Sequence, residues 1–203
     1  MDIKSAHTKF RLLQEEYFNR ASHLVEVEKK TTRGHGILLV DMDDLILATP
    51  LRSNMSAKRY KSDGFLTYKT HQVIDTDHQG NPKVNETGEP ILKEVLIGLD
   101  ISKTLFVQAS DINESSPYQF QDPEEEKYYQ QHFAQIKRRV KSYINNYKKL
   151  CADIKSGKNI KHYRVKEYKY TTLQNYHDIL DIALTAEEYK NFLIQKQFIT
   201  APA

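Results

Sequence analysis

Arg33-Gly-His35-Gly-Ile37-Leu-Leu-Val40-Asp-Met-Asp-Asp44-Leu-Ile-Leu-Ala48-Thr-Pro50-Leu51-Arg52-Ser53-Asn54-Met55 is the most apolar and most sharply punctuated stretch of the 203-residue chain. Two β-rich runs, Ile37 to Val40 and Leu45 to Ala48, flank the acidic Asp41 to Asp44. A short polar turn between such runs predicts an antiparallel hairpin. Each run is nearly continuous in apolar residues, so both faces are expected to be covered. Arg33 and His35 stand before the first strand, and Arg52, Ser53 and Asn54 after the second. In an antiparallel hairpin these two ends lie side by side, and a site is expected there.

The length suits one well-buried domain over residues 1–203. No run approaches the length of a membrane span, and the N-terminus lacks the apolar core of a secretory signal, so a cytoplasmic protein without membrane partners is expected. Cys151 is the only cysteine, which rules out an internal disulfide and a cysteine-based zinc site. The formal net charge of +3 conceals a segregation. Residues 137 to 170 carry twelve Lys or Arg against Asp153 and Glu167, a balance of +10, and the remainder carries 18 basic against 25 acidic residues, a balance of −7. Such a segment suits a polyanion, nucleic acid above all. A solvated helix face followed by a basic loop is the plainer alternative.

Before the hairpin, residues 8–13 read as a strand and Gln14 to Leu24 as a helix with Tyr17, Phe18, Ala21 and Leu24 on one stripe. Val25 to Thr32 is charged and reads as a mobile lead. After it, residues 56–64 read as an exposed basic loop, and Phe65 to Asp75 with Ile91 to Ile97 as strands of a protruding hairpin, an expected insertion at 67–93 by its turn-rich middle. Thr104 to Gln108 reads as a further strand. A long capped helix is expected at about 123–156, with Asp122 as cap, Pro123 first, Glu125 completing a capping box and Gly157 as stop. Its seam runs through Tyr129, Phe133, Ile136, Val140, Tyr143, Tyr147 and Leu150, which leaves Lys137, Arg138, Lys141, Lys148 and Lys149 facing away. Tyr163 to Tyr170 alternates like a basic strand or extended segment, Thr171 to about Leu184 reads as a short helix, and Thr185 with Glu188 forms a second capping box before a C-terminal helical extension after about 185. No internal repeat is evident.

No phosphate-binding glycine loop, nucleophile elbow or metal-ligand spacing is present, and no cofactor or metal is expected. The acidic group Asp41, Asp43 and Asp44 suits a turn better than a divalent ion. What remains is the open end of the hairpin. An RNA phosphodiester can be cut without metal when its own 2′-hydroxyl attacks, provided the protein positions the strand, moves a proton and supplies positive charge. Arg33, Arg52, Lys58 and Lys103 can supply charge, Ser53 or Asn54 a hydrogen bond, and His35 or Tyr17 the proton transfer.

Three pieces carry a family resemblance: the run from Arg33 to Asn54 ending in Pro-Leu-Arg-Ser-Asn, then Gly98-Leu-Asp-Ile-Ser-Lys103, then Tyr170-Thr-Thr-Leu-Gln-Asn-Tyr-His177. In order, they resemble the endoribonuclease toxins of type III toxin-antitoxin and abortive-infection systems, closest to the TenpN branch, with ToxN and AbiQ as wider relatives. The likeness spans about Phe10 to His177. It implies an α+β fold built on a compact, highly twisted, antiparallel β-barrel-like sheet surrounded by helices. It also implies a metal-independent endoribonuclease that cuts substrate mRNA to a 2′,3′-cyclic phosphate, and neutralisation by a repetitive structured RNA antitoxin in a closed cyclic assembly of protein and RNA.

By that resemblance Ser53 matches the family's serine after the second hairpin strand, Arg33 the catalytic cation before the first, Tyr17 an aromatic position of the first helix, and Lys103 the Gly-Leu-Asp motif. Arg52-Ser53-Asn54-Met55 stands where the ToxN branch has Thr-Ser-Pro-Lys, which moves the cation to the residue before the serine. RNA contacts are expected from Asn54, Lys58 and Arg59 and from the basic stretch, Lys137, Arg138, Lys141, Lys148, Lys149, Lys161, Arg164, Lys166 and Lys169. A non-catalytic nucleic-acid-binding module using the same 137–170 surface is the alternative.

Overall fold

The computed structural model describes residues 10–27, 36–42, 45–59 and 61–200. In chain order these form β1 (Phe10–Leu13), α1 (Glu15–Arg20), β2 (Ile37–Met42), β3 (Leu45–Ser56), β4 (Leu66–Ile74), β5 (Leu92–Leu99), β6 (Leu105–Val107), β7 (Ile112–Pro117), α2 (Pro123–Gln131), α3 (Phe133–Lys155), α4 (His162–Tyr168) and α5 (Ala186–Gln195). The fold is α+β, with a seven-stranded antiparallel sheet ordered β4-β5-β3-β2-β1-β7 and β6 also paired to β3. The expected hairpin is its centre, with Ile37 opposite Pro50 and Met42 opposite Leu45. Its apolar runs are covered on both faces, since Ile37 to Val40, Leu47 and Ala48 are all buried.

Among the described residues no pairing joins β4 to β7, so the sheet is open and the expected barrel-like closure is absent. Both end strands are rich in polar, exposed residues, such as Thr70, His71 and Gln72 in β4 and Glu114 and Ser115 in β7. Water can satisfy such edges without a closing partner. The polar sequence of β7, Ile-Asn-Glu-Ser-Ser-Pro, also explains why it gives no strand signal.

β3 runs further than its apolar run predicts and contains Arg52, Ser53 and Asn54 rather than ending before them. It can do so because its second edge changes partner: Ile46 to Ala48 pair with β6, whereas Leu51 to Ser56 pair with β5. β5 and β6 act as one strand interrupted by the 3₁₀ turn Ile101–Lys103. Where the ladder breaks, the Asp100 N–H still donates to the Pro50 carbonyl at 2.9 Å.

The helix expected over 123–156 is divided at His132, whose Nδ1 and own N–H both reach the Tyr128 carbonyl, at 2.8 and 3.0 Å. The backbone there, φ −98° and ψ 9°, opens the turn. Asp122 caps α2 through the Glu124 N–H at 3.1 Å, but the Glu125 carboxylate accepts from the Tyr129 hydroxyl instead of closing a box. The seam itself holds: every member except half-buried Phe133 is buried.

Residues 163–168 lie in helix α4, and 169–170 in the turn after it, in place of the extended segment, because Val165 and Tyr168, three apart, both bury. Thr171 onward makes only a 3₁₀ turn, Thr172–Asn175. α5 carries the full capping box expected of Thr185 and Glu188.

The 67–93 hairpin protrudes, and its tip does contain a repeat. Asp77-x-x-Gly80-x-Pro82 and Asn85-x-x-Gly88-x-Pro90 close the same turn twice, with Asp77 Oδ1 accepting from Gln79 and Asn81 N–H as Asn85 Oδ1 does from Thr87 and Glu89. Gly80 and Gly88 take φ +89° and +83°.

Candidate functional site

Three segments distant in sequence meet at the crossing of β3 and β5. From β3 come Pro50, Arg52 and the bulge Ser53-Asn54, two residues set against the single Ile97 because Arg52 pairs with Gly98 and Met55 with Leu96. From the β5–β6 interruption comes Asp100, 1% exposed, whose carboxylate accepts from Ser102 Oγ at 2.6 Å and pairs with Arg59 at 3.3 Å. From the start of the 3₁₀ turn that follows α4 come Thr171 and Thr172. Thr171 Oγ1 donates to the Ser102 carbonyl at 3.0 Å and Thr172 Oγ1 to the Thr104 carbonyl at 2.5 Å. These bonds fix the Ile101–Lys103 turn as a rigid wall.

One side of the wall is an apolar recess of about 40 Å³, lined by Leu13, Phe18, Val27, Ile37, Pro50 and Leu105, with Arg52, Lys103 and Glu26 as its charged groups. The Lys103 side chain is 16% exposed, and its ammonium forms an ion pair with Glu26 and donates to the Tyr170 carbonyl at 2.7 Å. In this low-exposure setting a phosphate would meet fixed positive charge with little competing water.

The other side is an open trough of about 830 Å³. Lys58, Arg59 and Lys61 enter it from the turn after β3, Lys149 from α3, and Arg164, Lys166 and Lys169 from α4 and the residue after it, against Asp63 and Glu167. Arg59 is engaged with Asp100, and Arg164 with Asp153 at 2.9 Å, while Glu167 accepts from Ser62 Oγ and the Gly64 N–H. Lys58, Lys61, Lys149 and Lys166 are exposed. Two tyrosines also face solvent here: Tyr163 is 66% and Tyr170 49% exposed, and Lys169 Nζ lies 4.3 Å from the Tyr170 ring centroid. Exposed aromatics between cations form a surface on which bases can stack while the backbone is neutralised.

The expected residues therefore separate into groups. Arg52 and Lys103 share the recess; Lys58, Arg59, Lys149, Arg164, Lys166 and Lys169 share the trough. Ser53 and Asn54 are exposed on the bulge beside Arg52. Lys137, Arg138, Lys141 and Lys161 are exposed and Lys148 half-buried, and none of the five lines the trough. Arg33 and His35, like Asp43 and Asp44 of the acidic turn, lie outside the described residues.

Tyr17 is a core residue, 5% exposed, with its hydroxyl 3.4 Å from that of Tyr176. Burial and the Tyr176 hydroxyl push its phenol far above the ordinary range, so it stays protonated. His177 is buried as well: its Nδ1 donates to the Leu184 carbonyl at 2.6 Å and its Nε2 meets the Tyr147 hydroxyl at 2.7 Å.

Sequence reasoning missed Glu26, Lys61, Tyr163 and Tyr170 as site residues. Lys61, Tyr163 and Tyr170 had a signal, cations and tyrosines alternating in segments already read as basic. Glu26 had none, because its approach to Lys103 is a contact across 77 positions. No protein-family model, no curated protein and no solved structure matches this chain. Among the described residues no helix is long and apolar enough to cross a membrane.

Proposed function

We propose that this chain is a metal-independent endoribonuclease that lays single-stranded RNA along the basic trough and cuts it at the adjoining recess. The observation that carries the reading is the sharing of one wall: Ser102 faces the trough and Lys103 the recess from the same 3₁₀ turn, so one RNA strand can occupy both. Tyr163 and Tyr170 stack bases, the trough lysines neutralise phosphates, and Arg52 with Lys103 holds the phosphate that reacts. The 2′-hydroxyl then attacks that phosphate, the 5′-oxygen leaves, and a 2′,3′-cyclic phosphate remains. Ser53, on the bulge next to Arg52, donates a hydrogen bond to the same phosphate.

The resemblance in three motifs supports the biological setting, a toxin whose substrate is messenger RNA and whose antitoxin is a structured RNA held on the same basic surface in a closed assembly. The motifs that carry the likeness are also those that build the recess and its wall.

The test is incubation of the purified chain with a long mixed-sequence RNA in EDTA. Fragments ending in cyclic phosphate, lost with Arg52→Ala and Ser53→Ala while binding persists, are the expected result. RNA bound tightly at low salt yet left uncut overturns the enzymatic reading in favour of a non-catalytic binding module, and absence of salt-sensitive binding overturns both.

A further inference from the structure

Among the described residues that line the recess, Glu26 is the sole carboxylate. Its backbone takes φ +63°, the left-handed region that a residue bearing a Cβ occupies only when its surroundings hold it there. The holding group is Asn175. Its Oδ1 accepts from the Val25 N–H at 2.8 Å, and its Nδ2 donates to the Val25 carbonyl at 2.7 Å and to the Thr172 carbonyl at 3.0 Å. The turn at Val25 and Glu26 is thereby fastened to the same 3₁₀ segment that backs the recess, and the carboxylate ends on the Lys103 ammonium.

Attack by a 2′-hydroxyl needs a proton acceptor at the reacting phosphate. Tyr17 is a buried phenol, Lys103 and Arg52 are cations, and the Ser53 hydroxyl is not a base. We infer that Glu26 is the proton acceptor for the cleavage proposed above, an assignment that rests on that reading. An incoming RNA phosphate takes over the Lys103 ammonium and leaves the Glu26 carboxylate facing the 2′-hydroxyl. The carboxylate takes the hydroxyl proton and the 2′-oxygen forms its bond to phosphorus. The bond from phosphorus to the 5′-oxygen breaks with its electron pair on oxygen, which takes a proton from a solvent water. Protonated Glu26 returns its proton to the hydroxide so formed. The charged groups facing Glu26 in the recess are Lys103 from the 3₁₀ turn and Arg52 from β3.

The test compares RNA cutting in EDTA by the wild-type chain, Glu26→Gln and Glu26→Gly. Glycine adopts φ +63° without strain, so Glu26→Gly keeps the fold while deleting the carboxylate. Both variants are expected to bind RNA as the wild type does and to cut on the order of 10²- to 10⁴-fold more slowly. Added formate is expected to restore cutting to Glu26→Gly, and Glu26→Gln to lose the rise of kcat/KM on the acid side of the pH profile. A folded Glu26→Gly that cuts within a few-fold of wild type overturns the assignment and leaves the endoribonuclease standing. Loss of cutting with no formate rescue and an unchanged acid limb makes Glu26 a positioning residue for Lys103 and also overturns it. If the wild-type chain binds RNA without cutting, the enzymatic reading itself has failed.

Discussion

Gly98 lies so close beneath Leu66 that a Cβ on it would stand 1.9 Å from the Leu66 carbonyl oxygen. The crowding follows from two bulges that converge on this residue, Ser53-Asn54 of β3 on one side and Tyr68 of β4 on the other, where Thr67 faces Gly98 and Lys69 faces Ile97. The obstructing atom is backbone, so no rotamer change relieves it. Gly98→Ala is expected to lose about 3 kcal/mol of stability, measured by urea unfolding. A loss below about 1 kcal/mol would show that the strands part there without penalty.

The buried imidazole of His177 makes stability depend on pH. A carbonyl can only accept, so Nδ1 carries the proton toward Leu184 and Nε2 accepts from the Tyr147 hydroxyl in the neutral ring. Burial pulls its pKa below the ordinary 6.5, against the opposing pull of the Leu184 carbonyl. The unfolded chain then binds a proton that the folded chain does not, so this contribution is complete above 6.5 and is lost as pH falls toward the depressed folded value. Tm is expected to fall over that window in the wild type and to change less in His177→Gln. Parallel profiles for the two proteins would assign the pH dependence elsewhere.

Each trough lysine that neutralises a phosphate should contribute to the salt dependence of RNA binding. Replacing Lys58, Lys61 or Lys166 by Ala is expected to reduce the slope of log K against log salt by about 0.7 for single-stranded RNA. Ala at Lys137, Arg138 or Lys141, on the outer face of α3, should leave that slope closer to wild type. Tyr170→Ala should cost about 1–3 kcal/mol of binding without changing the slope, since stacking releases no counterions. Equal slopes for trough and outer-face variants would remove the trough as the binding surface.

Tyr17→Phe is expected to leave cutting intact. It removes a hydroxyl that, among the described residues, hydrogen-bonds Tyr176 at 3.4 Å in the core, and should cost less than about 1 kcal/mol of stability. A large fall in kcat with unchanged RNA binding would return Tyr17 to the reaction.

Asn175→Ala should separate the recess from the trough. The Val25 N–H and carbonyl lose their partners, a cost of about 1 kcal/mol because Val25 is 51% exposed and water can replace them. Cutting is expected to fall far more than RNA binding, since Glu26 is released from Lys103 while the trough is untouched. Equal losses in the two measurements would point to general unfolding.

Much of this architecture was legible in local pattern. The β2–β3 hairpin follows from two apolar runs about a polar turn, the α3 seam from its 4-3 spacing, and the α5 cap from Thr185 and Glu188, because each is decided within a few residues. Patterns with two solutions misled. Tyr163 to Tyr170 alternates like a strand, yet Val165 and Tyr168 also fit one helix face, and docking onto α3 decides between them. The continuation of β3 past Pro50 is likewise invisible locally, since it depends on β5 and β6 taking turns along the same edge.

The candidate site divides in the same way. Composition alone concentrated positive charge in residues 137 to 170, and the expectation of a polyanion partner needs no more than that concentration. Only the tertiary structure sets Lys58 and Lys61 opposite Lys166, turns Arg59 and Arg164 to the carboxylates of Asp100 and Asp153, and buries Tyr17. It alone brings Glu26 to Lys103, because a carboxylate and an ammonium carry no mark in sequence of which partner a left-handed turn, fastened by Asn175, will deliver.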